Sequence, residues 1–199
     1  RREIHKILVD ITSKIQPYKE NIESLQVLMS ELDVIRAKAY FGINYNCTLP
    51  QLSKERQIYL REFVHPVLYH HHKKQHKPII DNTILLDDKN RIVVISGPNA
   101  GGKSIILKSI GLIQLMFQFG MLIPAKENSV LSVFDNLFVD IGDEQSIEND
   151  LSTYSSHLSN MNYFLSKATS KTLVLIDEMG MGTDPALGGP MAEAILESL

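Results

Sequence analysis

With 199 residues, 44% of them hydrophobic and 22% charged, the chain is long enough to bury a sizeable core and sits near the average of folded globular domains, which excludes disorder as its default state. Its 20 Lys and Arg against 23 Asp and Glu leave a net charge of −3, excluding a global positive field that would gather nucleic acid or an anionic membrane; such contacts need a local patch or another region. The single cysteine, Cys47, cannot close an internal disulfide and reads as a buried, idle thiol of a reducing compartment.

Residues 4–40 place Ile4, Ile7, Ile11, Ile15, Tyr18, Ile22, Leu25, Met29, Leu32, Ile35 and Ala39 at three- and four-residue steps, the stripe of a long helix. A continuous one would run about 60 Å at 1.5 Å per residue, more than a compact domain uses, so a packing or lever role is expected for it. Pro17 costs about 3 kcal/mol in a helix interior and predicts a kink, or two helices meeting there. Residues 42–83, with Pro50, Pro66 and Pro78, read as an irregular lead-in with short edge strands. Within it, His70-His71-His72 with Lys73, Lys74, His76 and Lys77 reads as a solvated loop, because a metal site needs ligands held by supporting hydrogen bonds.

Residues 84–86 and 91–96 are β-rich runs flanking Asp87-Asp88-Lys89-Asn90, which predicts a hairpin with a polar turn. The second run leads into a glycine-rich loop, and an apolar helix is expected from 104 to 119, stopped by Gly120. The apolar stretch 105–122 is interrupted by Lys108, Ser109, Gln114, Gln118 and two glycines and falls short of a membrane span. Further strands are expected at 121–123, 130–133, 137–141 and 171–176, with helices at 152–168 and 187–199. Alternating strands and helices predict an α/β layered domain with a mixed, largely parallel sheet. The domain division expected is a helical connector over 1–41 and a nucleotide-binding domain over 42–199. The charged, amphipathic start offers no signal peptide, so the chain reads as cytoplasmic and as cut from a longer protein.

Gly97-Pro98-Asn99-Ala100-Gly101-Gly102-Lys103-Ser104 fits G-x-x-x-x-G-K-[ST] at every fixed position, the P-loop that binds ATP with Mg²⁺. Glycines let backbone N–H groups converge on phosphates, and a helix N-terminus adds partial positive charge. Lys103 would reach the β- and γ-phosphates and Ser104 would ligate Mg²⁺. Leu173-Val174-Leu175-Ile176-Asp177-Glu178 is the second half: a buried-strand run ending in two acids. Asp177 would hold the metal through its shell, and Glu178 would orient or deprotonate the attacking water. That acid pair separates water-polarising ATPases from many P-loop kinases.

These motifs resemble the ATPase domain of the MutS family of DNA-repair proteins, within the ABC-type ATPase group. Gly97 to Ser104 is similar to its GPN-x-GGKS loop, Leu151-Ser152-Thr153-Tyr154 to its S-T-F signature, and Asp177-Glu178-Met179-Gly180-Met181-Gly182-Thr183 to its DE-x-G-x-GT segment. His65-Pro66-Val67-Leu68 resembles the family's HP-hydrophobic start. Phe138-Val139-Asp140-Ile141-Gly142-Asp143-Glu144-Gln145-Ser146, the run from Leu151 to His157, and Gly182-Thr183-Asp184-Pro185 resemble the anti-recombination branch, which carries a nuclease domain elsewhere.

The resemblance implies a homodimer with two composite sites, DNA held by regions outside this chain, and a helical lever joining the ATPase domain to a clamp. Ser152 and Thr153 would meet the γ-phosphate bound by the partner copy, with a plain helix cap as the local alternative for Ser152. Gln145 falls where such ATPases sense metal and water, Gly182, Thr183 and Asp184 where they contact the partner, and Ile79 where the family stacks adenine. The usual switch histidine would lie beyond Leu199. Two other readings stay open: another ABC-type mechanical ATPase, whose LSGGQ-type signature this segment lacks, and a nucleotide-gated interaction module without turnover.

Overall fold

The computed structural model describes residues 1–98, 101–142, 150–180 and 185–199, with backbone alone for 150–155 and 185. Helix α1 (Arg2–Ile15) and helix α2 (Lys19–Asn44) meet at a single 3₁₀ turn, Gln16–Tyr18, built around Pro17. The junction follows from proline chemistry, since Pro17 has no N–H to donate to the preceding turn. No residue of α1 is buried and only Gly42 of α2 is, so the apolar stripe is left on the surface of this chain. Ion pairs such as Lys6–Glu3 (2.8 Å) and Lys14–Asp10 (2.7 Å) support α1 at helical spacing.

The root of α2 is fixed to the rest of the chain at several points. The Lys38 ammonium donates to the Phe119 carbonyl at 2.6 Å, and a Cβ added at Gly42 would stand 2.7 Å from Leu122 Cδ1. Phe41 and Tyr45 stack with centroids 4.2 Å apart, and Tyr45 stacks on His70 at 5.5 Å.

Strands β1 (Gln51–Leu52) and β2 (Ile58–Phe63) precede helix α3 (Pro66–Lys74), which precedes strand β3 (Asn82–Leu86). With strand β4 (Val130–Leu131) they form a sheet in the order β1-β4-β2-β3, in which β1 and β4 run parallel and β2 runs antiparallel to both neighbours. Two expectations for residues 42–83 are corrected here. β2 lies inside its sheet rather than at an edge, with Ile58, Leu60 and Phe63 facing the core at 1%, 0% and 1% exposure. The histidine run lies on α3 rather than in a loop: Pro66 opens that helix, where its missing N–H costs nothing, and His71, His72, Lys73 and Lys74 fill the last turn. Among the described residues, no group of three or more His, Cys, Asp or Glu is arranged to hold a metal.

The turn after β3 forms as expected. Asp87 Oδ1 accepts from the backbone N–H groups of Lys89 (2.9 Å) and Asn90 (2.7 Å), which holds its carboxyl below the usual aspartate range. The returning run at 91–96, however, is not a strand. Its residues have β propensity but no sheet face to bury them, and Val94 stays 75% exposed. Residues 121–123 likewise contribute only a bridge between Ile123 and Thr48.

Helix α4 (Lys103–Gln118) starts directly at the glycine-rich loop. Strands β5 (Asn136–Asp140) and β6 (Thr172–Ile176) pair in parallel, in register from Asn136↔Thr172 to Asp140↔Ile176. Between them in sequence lies helix α5 (Asp150–Lys167), and helix α6 (Pro185–Ser198) follows β6. Alternation along β6 buries both faces: Leu173 and Leu175 join Ile110, Ile113 and Met116 of α4, while Val174 and Ile176 pack with Met161 and Phe164 of α5 and Ile195 of α6. The α/β layering is therefore present, with α4 packed against both the mixed sheet and the β5–β6 pair. Among the described residues no helix is long and apolar enough to cross a membrane.

Cys47 is half-buried, and burial pushes its thiol up to about 11 from 9.0. Folding therefore holds its proton more tightly than the unfolded chain does, and the associated stability is full below about pH 9 and lost as pH rises through about 11. We expect alkylation of folded Cys47 at pH 8 to run about a hundredfold slower than after unfolding, the two-unit difference in thiolate population. Equal rates measured with iodoacetamide would refute this environment.

Candidate functional site

The first half of the site is the loop entering α4. Gly97 and Gly102 take positive φ angles of 153° and 81°, and Gly102 is the left-handed cap residue of α4. The Gly101 N–H donates to the Pro98 carbonyl at 2.9 Å, closing a turn on the loop. No side chain caps α4 and no acid stands in its first turn, so its N-terminal field is not neutralised locally. The Lys103 ammonium folds back onto the loop, donating to the carbonyls of Gly97 (2.7 Å) and Pro98 (3.1 Å). A flexible point charge is thus held over backbone that can turn N–H groups toward an anion. Ser104 follows on the first turn of the same helix, half-buried.

The second half is the end of the β5–β6 pair. Asp177 comes directly after β6 and is 8% exposed, its N–H donating to the Asp140 carbonyl at 2.9 Å as the last rung of the parallel ladder. Glu178 is exposed, with its N–H on Asp177 Oδ1 at 3.1 Å and a left-handed φ of 53°. That conformation is uncommon for a residue with a Cβ and marks local strain at the position expected to handle water. Oxygen donors of this kind suit Mg²⁺, which keeps several waters and takes one or two carboxylates alongside phosphate oxygens. The hydroxyl of Ser104 and the buried carboxylate of Asp177 fit that chemistry.

The two halves sit on elements that pack together. A Cβ added at Gly111 of α4 would stand 2.9 Å from Leu175 Cδ1, so the absent side chain lets α4 approach β6 just before Asp177. Helix α5 starts at Asp150, which puts Ser152 and Thr153 inside its first turn rather than at its cap. Ile79 lies in the irregular stretch between α3 and β3, 39% exposed. Asn99, Ala100, Gln145, Gly182, Thr183 and Asp184 lie outside the described residues.

Sequence reasoning assigned no chemical role to a cluster that the structure builds beside Asp177. Asp140, 6% exposed at the end of β5, accepts from His157 Nδ1 on one carboxylate oxygen (2.6 Å) and from Asn160 Nδ2 on the other (2.9 Å). Both donors come from α5, three residues apart on one face. A carboxylate only accepts, so Nδ1 carries the proton of this contact. The signal in the sequence was an acid at the end of each of two apolar strands, which parallel pairing brings to the same end of the pair, Asp140 opposite Ile176 and Asp177 one residue further on. His65, next to Pro66, has a buried Nδ1 with no hydrogen-bond partner among the described residues, and burial together with the nearby Lys108 charge pushes its pKa down.

Comparison with known proteins matches residues 93–199 to MutS domain V. Across its whole length the chain is 43% identical to the protein named Endonuclease MutS2 of Ligilactobacillus salivarius, 40% to that of Levilactobacillus brevis and 42% to that of Clostridium botulinum. It spans about a quarter of the length of these curated relatives, 25%, 24% and 24% respectively.

Gly180, just past the acid pair, takes φ 84°, and a Cβ there would stand 2.6 Å from the Gly188 carbonyl oxygen of α6. Both the backbone conformation and the space demand glycine. Gly180→Ala should lower stability by about 2 kcal/mol or more, roughly 4–8 °C in Tm for a domain of this size. An unchanged thermal melt would refute the described approach of α6.

Proposed function

Because the chain belongs to the MutS family, in the branch of the Endonuclease MutS2 proteins, we propose that it is the ATP-binding and ATP-hydrolysing unit of a DNA-acting protein. The observation that supports this reading is the packing of α4, which opens on the glycine loop holding the Lys103 ammonium, against β6, whose end is followed by Asp177 and Glu178.

Triphosphate enters at the N-terminus of α4, where backbone N–H groups and the helix field stabilise its charge. Lys103 exchanges the Gly97 and Pro98 carbonyls for phosphate oxygens, a charge-assisted contact stronger than the one it leaves. Ser104 and Asp177 would hold Mg²⁺, which would supply positive charge against the phosphates. Glu178, exposed at the strand end, accepts a hydrogen bond from the attacking water and aligns it with the γ-phosphorus. Asn99 and Ala100 complete the loop, Ile79 flanks the base, and Gln145 senses metal and water.

In the same proposal two copies close around ATP, with Ser152, Thr153, Gly182, Thr183 and Asp184 of one copy facing the nucleotide of the other. Hydrolysis reopens the dimer and moves the helices at residues 1–41, while DNA is held by regions outside this chain in a cytoplasmic setting.

In the full-length protein, Lys103→Ala should abolish ATP-dependent phosphate release and weaken nucleotide binding. Glu178→Gln should keep binding and Tm while lowering kcat about a hundredfold or more, and should increase the dimer population with ATP. Nucleotide binding with no phosphate release by the unsubstituted protein, with or without branched DNA, would replace hydrolysis by simple nucleotide gating. A dimer population unaffected by ATP in Glu178→Gln would overturn the closure step.

A further inference from the structure

The nucleotide reading leaves Asp140, His157 and Asn160 without a role, yet they occupy a decisive place. Asp140 is tied in two directions at once. Its main-chain carbonyl takes the Asp177 N–H at 2.9 Å, and its side chain takes His157 at 2.6 Å and Asn160 at 2.9 Å from α5. One residue therefore joins the strand end that carries Asp177 and Glu178 to the helix whose first turn carries Ser152 and Thr153.

A buried carboxylate this close to other acids is expensive unless it is fully hydrogen-bonded, and here each oxygen has a donor. Removing a donor leaves charge uncompensated beside Asp177, so the arrangement favours one placement of α5 over others. A small cavity continues the connection, lined by Asp140, His157 and Met161 together with Asp177, Glu178 and Gly180. Apolar packing of Met161 and Phe164 against Phe138 and Ile176 holds the middle of α5 to the same strands, so the polar contacts add direction to an interface already close.

We infer that His157 and Asn160 are positioning residues that act through Asp140, setting the first turn of α5 and the acid pair after β6 in one fixed relation. Neither touches the reacting atoms. The inference rests on the ATPase reading and deepens it: whatever Ser152 and Thr153 engage is reported, through α5 and Asp140, to the acids that handle water in this chain's own site. A displaced α5 leaves ATP binding at the α4 loop intact and disturbs the step that Asp177 and Glu178 perform.

The test uses the full-length protein, with phosphate release, ATP affinity measured without Mg²⁺, and thermal melting followed in parallel. His157→Ala and Asn160→Ala are expected to lower kcat about tenfold to a hundredfold and, by leaving an oxygen of the buried Asp140 without its donor, to lower Tm by about 2–12 °C, while ATP affinity stays close to that of the unsubstituted protein. His157→Asn, whose amide nitrogen can stand where Nδ1 stands, is expected to restore most of the lost kcat. Unchanged kcat in His157→Ala overturns the inference alone. So does a loss of ATP affinity in step with the loss of kcat, which makes the cluster merely structural, or a loss that His157→Asn fails to rescue although its Tm is restored, which makes the imidazole a direct participant. Absence of turnover in the unsubstituted protein overturns the ATPase reading, and this inference with it.

Discussion

Burial of α4 against two sheets is the constraint on which the remaining structure depends. Ile110, Ile113 and Met116 share one apolar cluster with Ile58, Leu60, Phe63 and Leu131 of the four-stranded sheet and with Leu173 and Leu175 of β6. Leaving such side chains in water would forfeit roughly 1.5–3 kcal/mol each, so α4 has little freedom to slide or rotate. Polar detail adds direction to this packing. Gln114, 1% exposed, donates to the Ser132 carbonyl at 2.8 Å and to Gln118 Oε1 at 2.7 Å, fixing the helix to the chain after β4. Because the loop begins where α4 begins, fixing the helix fixes the loop relative to the acids after β6.

Much of this was legible in the sequence, and the reasons differ between elements. Period-3.6 apolar spacing found α1 and α2, and Pro17 found the break between them, because a missing N–H acts locally whatever surrounds it. β5, β6, α4, α5 and α6 also lie close to where pattern and motif placed them. The run at 91–96 failed for the opposite reason: β propensity describes fitness for a half-buried pleated surface, and no such surface is offered to Val93 or Val94. α3 was hidden because histidines and lysines carry no apolar period, although Pro66 at its first position was a usable sign.

Among the candidate site residues, the loop and the acid pair were readable because their chemistry is encoded in contiguous sequence. The Asp140 cluster was not. Its members come from a strand end and a helix separated by the residues between them, and only the packing of α5 on the strands brings His157 and Asn160 to Asp140. Glu178 shows a different limit. Its identity advertises a proton acceptor, but nothing in the residue type announces a φ of 53°. Natural sequences that tolerate such strain commonly do so where geometry matters more than stability.

The attachment of α2 gives the molecule a mechanical gain. Phe119 caps α4, and its carbonyl holds the Lys38 ammonium, a cation set against the negative end of that helix. Leu122, just beyond, fills the space left by Gly42. The same rod that begins at the glycine loop therefore ends against the root of α2. That helix extends about 39 Å for its 26 residues, so a tilt of about 10° at its root displaces the far end by about 7 Å. Displacements too small to alter the packing around α4 are in this way multiplied into movements the size of a side chain, with no hinge needed inside the core.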